Sequence, residues 1–410
     1  MLGVLVAAQQ PDPSMTASPT ELFYRERRLP PYVFAEVNRM KLASRKAGRD
    51  VIDFGMGNPD LPPAQHVIDK LKEVAADPRA HRYSASQGLP SLRRALARYY
   101  ERRFNVALNP DTEVCVTLGS KEGLANLAQA ITAPGDVILV PDPSYPIHMF
   151  GFIIAGAAVR PVGFDNPETF LRDVALACKR SIPAPSALVL NFPSNPTARV
   201  VGLDFYEEAV KLAKANNLVI ISDLAYADIW FDGGPPPSIL EVKGAREVAV
   251  EFTSMSKTYS MPGWRIGFAA GSARLVEALK RVKSYLDYGA FTPVQIAAVA
   301  ALDGPQDGVE AARLTYRKRR DVMVESFGRI GFDIPSPPAT MFAWTPIPEP
   351  FAHLGSVEFA KQLLEQTDVA VAPGLGFGER GDTHVRLALV ENEQRIRQAA
   401  RAMKGFFAKG

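Results

Sequence analysis

Lys257 sits in Thr253-Ser254-Met255-Ser256-Lys257-Thr258-Tyr259, and Arg265 follows eight residues later in Met261-Pro262-Gly263-Trp264-Arg265-Ile266-Gly267. An amine suits an aldehyde, while neighbouring hydroxyls and a guanidinium suit a phosphate. Apolar residues precede and follow the segment, which argues against an ordinary surface lysine. Three further clusters share one property: each begins where an apolar run ends. Gly119-Ser120-Lys121-Glu122-Gly123 is followed by Leu124, Leu127, Ala128 and Ile131 at helical spacing, so a glycine turn opens a helix whose first N–H groups can hold an anion or simply be capped. In Asn191-Phe192-Pro193-Ser194-Asn195-Pro196-Thr197 the prolines stiffen the backbone. They present Asn195 as a rigid donor, or do no more than make a tight turn. Asp223, in Ser222-Asp223-Leu224-Ala225-Tyr226, closes an apolar run. A carboxylate there needs a positive partner, of which a protonated pyridine nitrogen is one, or a helix end to cap.

The elements that must position these clusters are legible between residues 110 and 270. Short apolar runs at 114–118, 137–140, 187–190, 218–221 and 248–252 alternate with helical segments, the pattern of βα units and a largely parallel sheet. In such a sheet ligands bind beyond the carboxyl ends of the strands, where the clusters fall. Phe205, Ala209, Leu212 and Ala213 recur at helical spacing, and Asn216-Asn217 supplies a stop, giving one βαβ crossover. After residue 295 an Ala- and Arg-rich helical stretch, a Pro-rich turn at 335–338 and shorter signals read as a second domain.

At 410 residues the chain exceeds one compact core. Apolar residues at 47% and charged residues at 22% are those of an ordinary soluble globular protein. A net charge of +3 with interspersed acids gives no basic stripe for nucleic acid. Cys115 and Cys178 have no metal-ligand spacing, so no metal site or disulfide framework is expected and a reducing cytoplasm is the default. The longest apolar run, 150–159, is about half of the roughly 20 residues that span a bilayer. The opening MLGVLVAA resembles a short signal core but lacks a basic start. Residues 1–20 are expected to form a loose tail, with Met15 as an alternative start.

Taken in order, Asn-Pro-Thr, Asp-x-x-Tyr and Ser-x-Ser-Lys-x-x-x-x-x-Gly-x-Arg resemble the class I and II aminotransferases, and the likeness extends from about residue 24 to 406. It is nearest the glutamate–pyruvate (alanine) aminotransferases, most visibly at 119–123, 143–148, 223–229 and 284–295, with the LL-diaminopimelate aminotransferases close by. The resemblance implies an α/β fold of type I, a mainly parallel central sheet flanked by helices with a smaller α+β domain, and pyridoxal 5′-phosphate as cofactor. It divides the chain into an arm and part of the small domain at 21–60, a large cofactor-binding domain at 61–295 and a small C-terminal domain at 296–410.

Position by position, it implies that Lys257 binds the cofactor aldehyde, that Asp223 pairs with the pyridine nitrogen, and that Asn195 and Tyr226 bond the ring hydroxyl oxygen. Tyr145 would stack on the ring. Ser120, Lys121, Ser254, Ser256 and Arg265 would hold the phosphate, which Tyr83 would reach from the neighbouring subunit of a homodimer. Arg386 lies in Thr383-His384-Val385-Arg386-Leu387-Ala388-Leu389, where alternation sets it opposite the apolar residues. A buried-edge salt bridge would explain that, whereas the resemblance implies a bidentate contact to the substrate carboxylate, over which Gly57 closes. The implied reaction moves an amino group between alanine and 2-oxoglutarate. Residues 284–295 contain no arginine, unlike aspartate aminotransferases, which place one there from the neighbouring subunit. A carbon–sulfur β-lyase shares this fold and cofactor site. A regulator built on the same fold carries a DNA-binding domain, for which residues 1–20 are too short.

Overall fold

The computed structural model describes residues 23, 25–31 and 33–408. The expected tail at 1–20 and Met15 lie outside them. β1 (Ile52–Asp53) comes first, followed by the strands of a central sheet: β2 (Val114–Thr117), β3 (Val137–Asp142), β4 (Ala158–Gly163), β5 (Pro185–Asn191), β6 (Val219–Asp223), β7 (Ala249–Ser254) and β8 (Gly267–Gly271). Their order is β2-β8-β7-β6-β5-β3-β4. β8 is antiparallel to both its neighbours, and the other pairings are parallel. β2 therefore points the same way as β7, and the carboxyl ends of β2, β3, β5, β6 and β7 share one edge.

The apolar runs are continuous because both faces of the sheet are covered. Leu139, Leu188, Leu190 and Ile220 pack into one cluster with the helices Pro90–Phe104 and Leu203–Ala215, while Ile138, Val140, Ala187, Val189, Ile221 and Val250 pack into another with Ser120–Ile131 and Ala273–Leu286. The five strands expected from sequence form, and the 205–213 periodicity becomes Leu203–Ala215, ended at Asn216 and Asn217, the latter at φ +53°.

β4 and β8 carry weak sequence signals. β4 continues the apolar run of the helix Pro146–Ala155 with only Gly156, at φ +107°, to turn the chain. β8 is Gly-Phe-Ala-Ala-Gly, with no β-branched residue.

The smaller unit holds β9 (Phe342–Pro346), β10 (Val369–Ala370), β11 (Ala372–Pro373) and β12 (His384–Ala388). β12 lies between β11 and β9, antiparallel to both, and β1 pairs with β10 in parallel. Its core gathers Val37, Ile52 and Phe54 from the N-terminal part with Phe327, Phe342, Phe359, Val385 and Ile396. The helix Thr292–Asp303 runs across residue 296, and its Ala297, Ala298, Ala301 and Leu302 pack in the large-sheet cluster beside Leu92 and Leu96. Among the described residues no helix is long and apolar enough to cross a membrane.

Candidate active site

The shared strand edge opens on a cavity of about 460 Å³ lined by Gly57, Ser120, Lys121, Tyr145, Asn195, Asp223, Tyr226, Ser254, Ser256, Lys257, Arg265 and Arg386. Twelve of the thirteen residues expected from sequence meet there. The exception is Tyr83, which is 86% exposed and packs its ring 4.8 Å from that of Tyr288.

At the floor, Asp223 closes β6 and is buried. Its Oδ1 accepts the Ala225 N–H at 3.2 Å and its Oδ2 lies 2.9 Å from Nε2 of His148, whose Nδ1 is 2.7 Å from the Ser144 hydroxyl. A carboxylate facing Nε2 calls for the proton on that nitrogen, with Nδ1 accepting from Ser144. His148 lies in the first turn of Pro146–Ala155 and is fully buried. Reading the sequence assigned it no role. The signal was available: a histidine in an apolar helix near a strand end needs a polar partner.

Asn191 ties two of the strand-end segments together. Its Nδ2 donates to the Asp223 carbonyl and its Oδ1 accepts the Asn195 N–H, both at 2.9 Å. Burial pushes the phenols of Tyr226 and Tyr145 up, so both stay protonated donors.

Lys257 occupies the one-turn helix Met255–Thr258, which Ser254 caps by accepting the Ser256 N–H at 3.2 Å. Its Nζ donates to the Gly57 carbonyl at 3.2 Å. Burial, reinforced by Arg386 and Arg265 and opposed by Asp223, holds its ammonium down at about 8.

Because β8 is antiparallel, its first residue returns to the edge where the other strands end, bringing Arg265 with it. Arg265, at φ +58°, donates to the Pro262 carbonyl at 2.7 Å and the Leu118 carbonyl at 3.3 Å. Gly119 lies so close beneath it that a Cβ there would be 2.0 Å from the guanidinium, and its φ is +86°. The φ calls for glycine, and any Cβ would push the guanidinium aside. Ser120 and Lys121 then begin the helix Ser120–Ile131, with N–H groups pointing toward the cavity end where Ser254, Ser256 and Arg265 lie.

Arg386 comes from the smaller unit, on β12, and is buried. It donates to Asn195 Oδ1 at 2.8 Å and to the Gly55 carbonyl at 3.1 Å, and its guanidinium carbon lies 4.1 Å from the centre of the Phe342 ring and 4.7 Å from that of Phe377. A Cβ at Gly57 would meet Phe342 at 2.5 Å, so only glycine lets this backbone approach Arg386. The cavity thus offers a helix N-terminus with an arginine at one end, a buried carboxylate at the floor, an amine of lowered pKa and a clamped guanidinium. That donor set fits a group carrying a phosphate, a ring nitrogen and an aldehyde, with room for a carboxylate beside it.

Residues 49–403 match the family model for aminotransferase class I and II. The chain belongs to that family. This aminotransferase is 63% identical to AatC of Rhizobium meliloti (strain 1021), whose name places it among aminotransferases, over 95% of this chain and 96% of that protein. It is 51% identical to the glutamate–pyruvate aminotransferase AlaC of Escherichia coli (strain K12), over 95% and 94%. Among solved structures, substrate-bound BacF of Bacillus subtilis superposes with a TM-score of 0.87 at 32% identity, covering 96% of this chain and 98% of that one. The fold is therefore the type I fold of this family, and the enzyme is a pyridoxal-phosphate-dependent aminotransferase acting on amino acids and 2-oxo acids.

Proposed function

We propose that this aminotransferase moves the amino group between alanine and 2-oxoglutarate, giving pyruvate and glutamate reversibly, as a cytoplasmic homodimer. The observation that carries the substrate assignment is the 51% identity to a glutamate–pyruvate aminotransferase along 95% of the chain. The absence of arginine from residues 284–295 argues against an aspartate preference, while the distal carboxylate of glutamate has to be met by another part of the cavity. The homodimer is supported by Tyr83, Tyr285, Leu286, Tyr288 and Phe291, which are all exposed. An apolar surface of that kind marks a protein interface. The cytoplasmic assignment rests on two cysteines that are both free.

When bound, pyridoxal phosphate supplies the electron sink that makes the substrate Cα proton removable. The side chains then have separable tasks. Asp223, oriented by His148, would keep the ring nitrogen protonated, and Asn195 and Tyr226 would bond the ring hydroxyl oxygen. Tyr145 would stack on the ring. Ser120, Lys121, Ser254, Ser256 and Arg265 would hold the phosphate, completed by Tyr83 of the neighbouring subunit. Arg386 grips the α-carboxylate and the Gly57 backbone closes over it, which turns the Cα proton toward Lys257. Burial lowers the Lys257 ammonium in the cofactor-free chain, and once the incoming substrate amine has displaced it from the cofactor aldehyde, Lys257 would take that proton as a base and return it as an acid. The 2-oxo acid then reacts in the reverse sense on the same residues, giving ping-pong kinetics.

An amino-donor panel with 2-oxoglutarate tests the assignment. Alanine is expected to give the highest kcat/KM. A tenfold advantage for LL-diaminopimelate or an aromatic amino acid, about 1.4 kcal/mol of transition-state preference, would overturn it. A fully active monomer at assay concentration would overturn the homodimer.

A further inference from the structure

Lys283 lies outside the cavity, on the helix Ala273–Leu286, and is fully buried. Its ammonium donates to Glu122 Oε1 at 2.9 Å and to Asp287 Oδ2 at 2.8 Å. Glu122 stands in the first turn of the helix Ser120–Ile131, one residue after Lys121. Its Oε2 accepts the Leu118 N–H at 2.8 Å, and its Oε1 also accepts from Asn126. A carboxylate in the first turn is favourable to the helix by itself. Here it shares that N-terminus with the proposed phosphate site, and two anions at one helix end repel each other in a partly desolvated place.

Glu122 nevertheless has a structural task that a neutral apolar residue could not perform. By holding Leu118, the residue whose carbonyl accepts from Arg265, it braces the turn through Gly119 from below. The conflict between bracing the turn and repelling a phosphate is resolved if its charge is neutralised from the side away from the cavity. Lys283, although shared with Asp287, offsets that charge, and burial keeps its own from being screened by salt. The two hydrogen-bonded acids keep its ammonium protonated despite that burial.

We propose that Lys283 is the countercharge that lets Glu122 brace the phosphate-binding turn without repelling the phosphate, so that a residue outside the cavity sets the affinity for the phosphate end of the cofactor. The same ammonium fixes Asp287, whose Oδ1 accepts the Gly289 N–H at 2.7 Å, next to the exposed Tyr288. The inference rests on the proposed phosphate role of residues 119–121 and Arg265.

The test measures binding rather than turnover. Full-length wild type, Lys283→Met, Glu122→Gln and the double variant, each cleared of cofactor, are brought to equilibrium dialysis against pyridoxal phosphate and, separately, against pyridoxal, which lacks the phosphate. If wild type holds the two equally well, the phosphate-site reading itself fails. If it prefers pyridoxal phosphate, Lys283→Met is expected to weaken that ligand about tenfold or more at low salt while moving pyridoxal little. Adding Glu122→Gln to Lys283→Met is expected to restore most of the loss. Equal weakening of both ligands, or no restoration in the double variant, overturns the proposal, because a merely structural lysine would act that way. Should Lys283→Met fail to fold, Glu122→Gln alone decides: pyridoxal phosphate held as tightly as by wild type or more so supports the countercharge, and selective weakening of pyridoxal phosphate overturns it.

Discussion

Lys257→Met is expected to make the cofactor-free protein more stable while abolishing transamination. Burial holds the folded-state titration of Lys257 at about 8 against an ordinary 10.5. The unfolded chain therefore binds more protons than the folded one between those values, and stability rises with pH across that window. Below about 8 the full cost of burying the ammonium is present. At about 1.4 kcal/mol for each pH unit of that gap, the cost is ~3 kcal/mol. Met removes the charge and keeps most of the length, but it also gives up the 3.2 Å hydrogen bond to the Gly57 carbonyl, worth about 1 kcal/mol. The net expectation near pH 7 is a gain of ~2 kcal/mol. Urea unfolding of both proteins without cofactor, at one protein concentration, gives the difference directly, and taking the difference cancels the titrating groups that do not feel Lys257. It should be largest at pH 7 and shrink as pH rises from 8 toward 10.5, because across that window the wild-type lysine has lost its proton in the folded state and still holds it in the unfolded one. A variant equal to or less stable than wild type at pH 7, or a gap independent of pH, would refute the claim that a desolvated amine is stored at this site.

Arg386→Lys replaces two donors in a fixed plane by one point charge and leaves Asn195 Oδ1 or the Gly55 carbonyl short of a partner. The Michaelis constants for amino acid and 2-oxo acid should rise together, with kcat/KM falling about 10- to 100-fold. An unchanged constant for both substrates would sink the carboxylate assignment. Asp223→Asn should retain cofactor by dialysis yet lose more than about tenfold in kcat, because an amide cannot favour the protonated ring nitrogen; a rate within a few-fold of wild type would count against the role. His148→Leu removes the partner of Asp223 Oδ2 and strands the Ser144 hydroxyl. Single-turnover rates should show a smaller loss than for Asp223→Asn, and an equal or greater loss would mean that His148 does more than orient the carboxylate.

The strand-end residues could be read from sequence because a doubly covered parallel sheet writes its strands as unbroken apolar runs, and each cluster that lines the cavity is the first polar stretch after one. That logic reaches Lys257, Asp223, Asn195 and the 119–121 turn without any contact being known. It reaches Arg265 only by its spacing from Lys257. The physical reason Arg265 arrives is the reversed strand β8, whose glycines and alanines look like no strand at all. Partnerships across long separations are written in the sequence only as separate halves. His148 meets Asp223 75 residues away, and Lys283 meets Glu122 161 residues away. In each case sequence shows one half of a pair whose charge or hydrogen bond makes sense only beside the other.

The substrate end is harder for a related reason. Phe34, Asn38 and Lys41 line the cavity from the helix Phe34–Lys46, and the Lys41 ammonium is already held 2.9 Å from Asp53 in β1. β1 in turn pairs with β10, more than 300 residues later in the chain, so no spacing within the N-terminal part encodes where this helix faces. Substrate choice therefore depends on how the smaller unit assembles from both ends of the chain. Cofactor chemistry depends mainly on one sheet edge, and that is why the reaction could be read from the residues sooner than the amino acid it acts on.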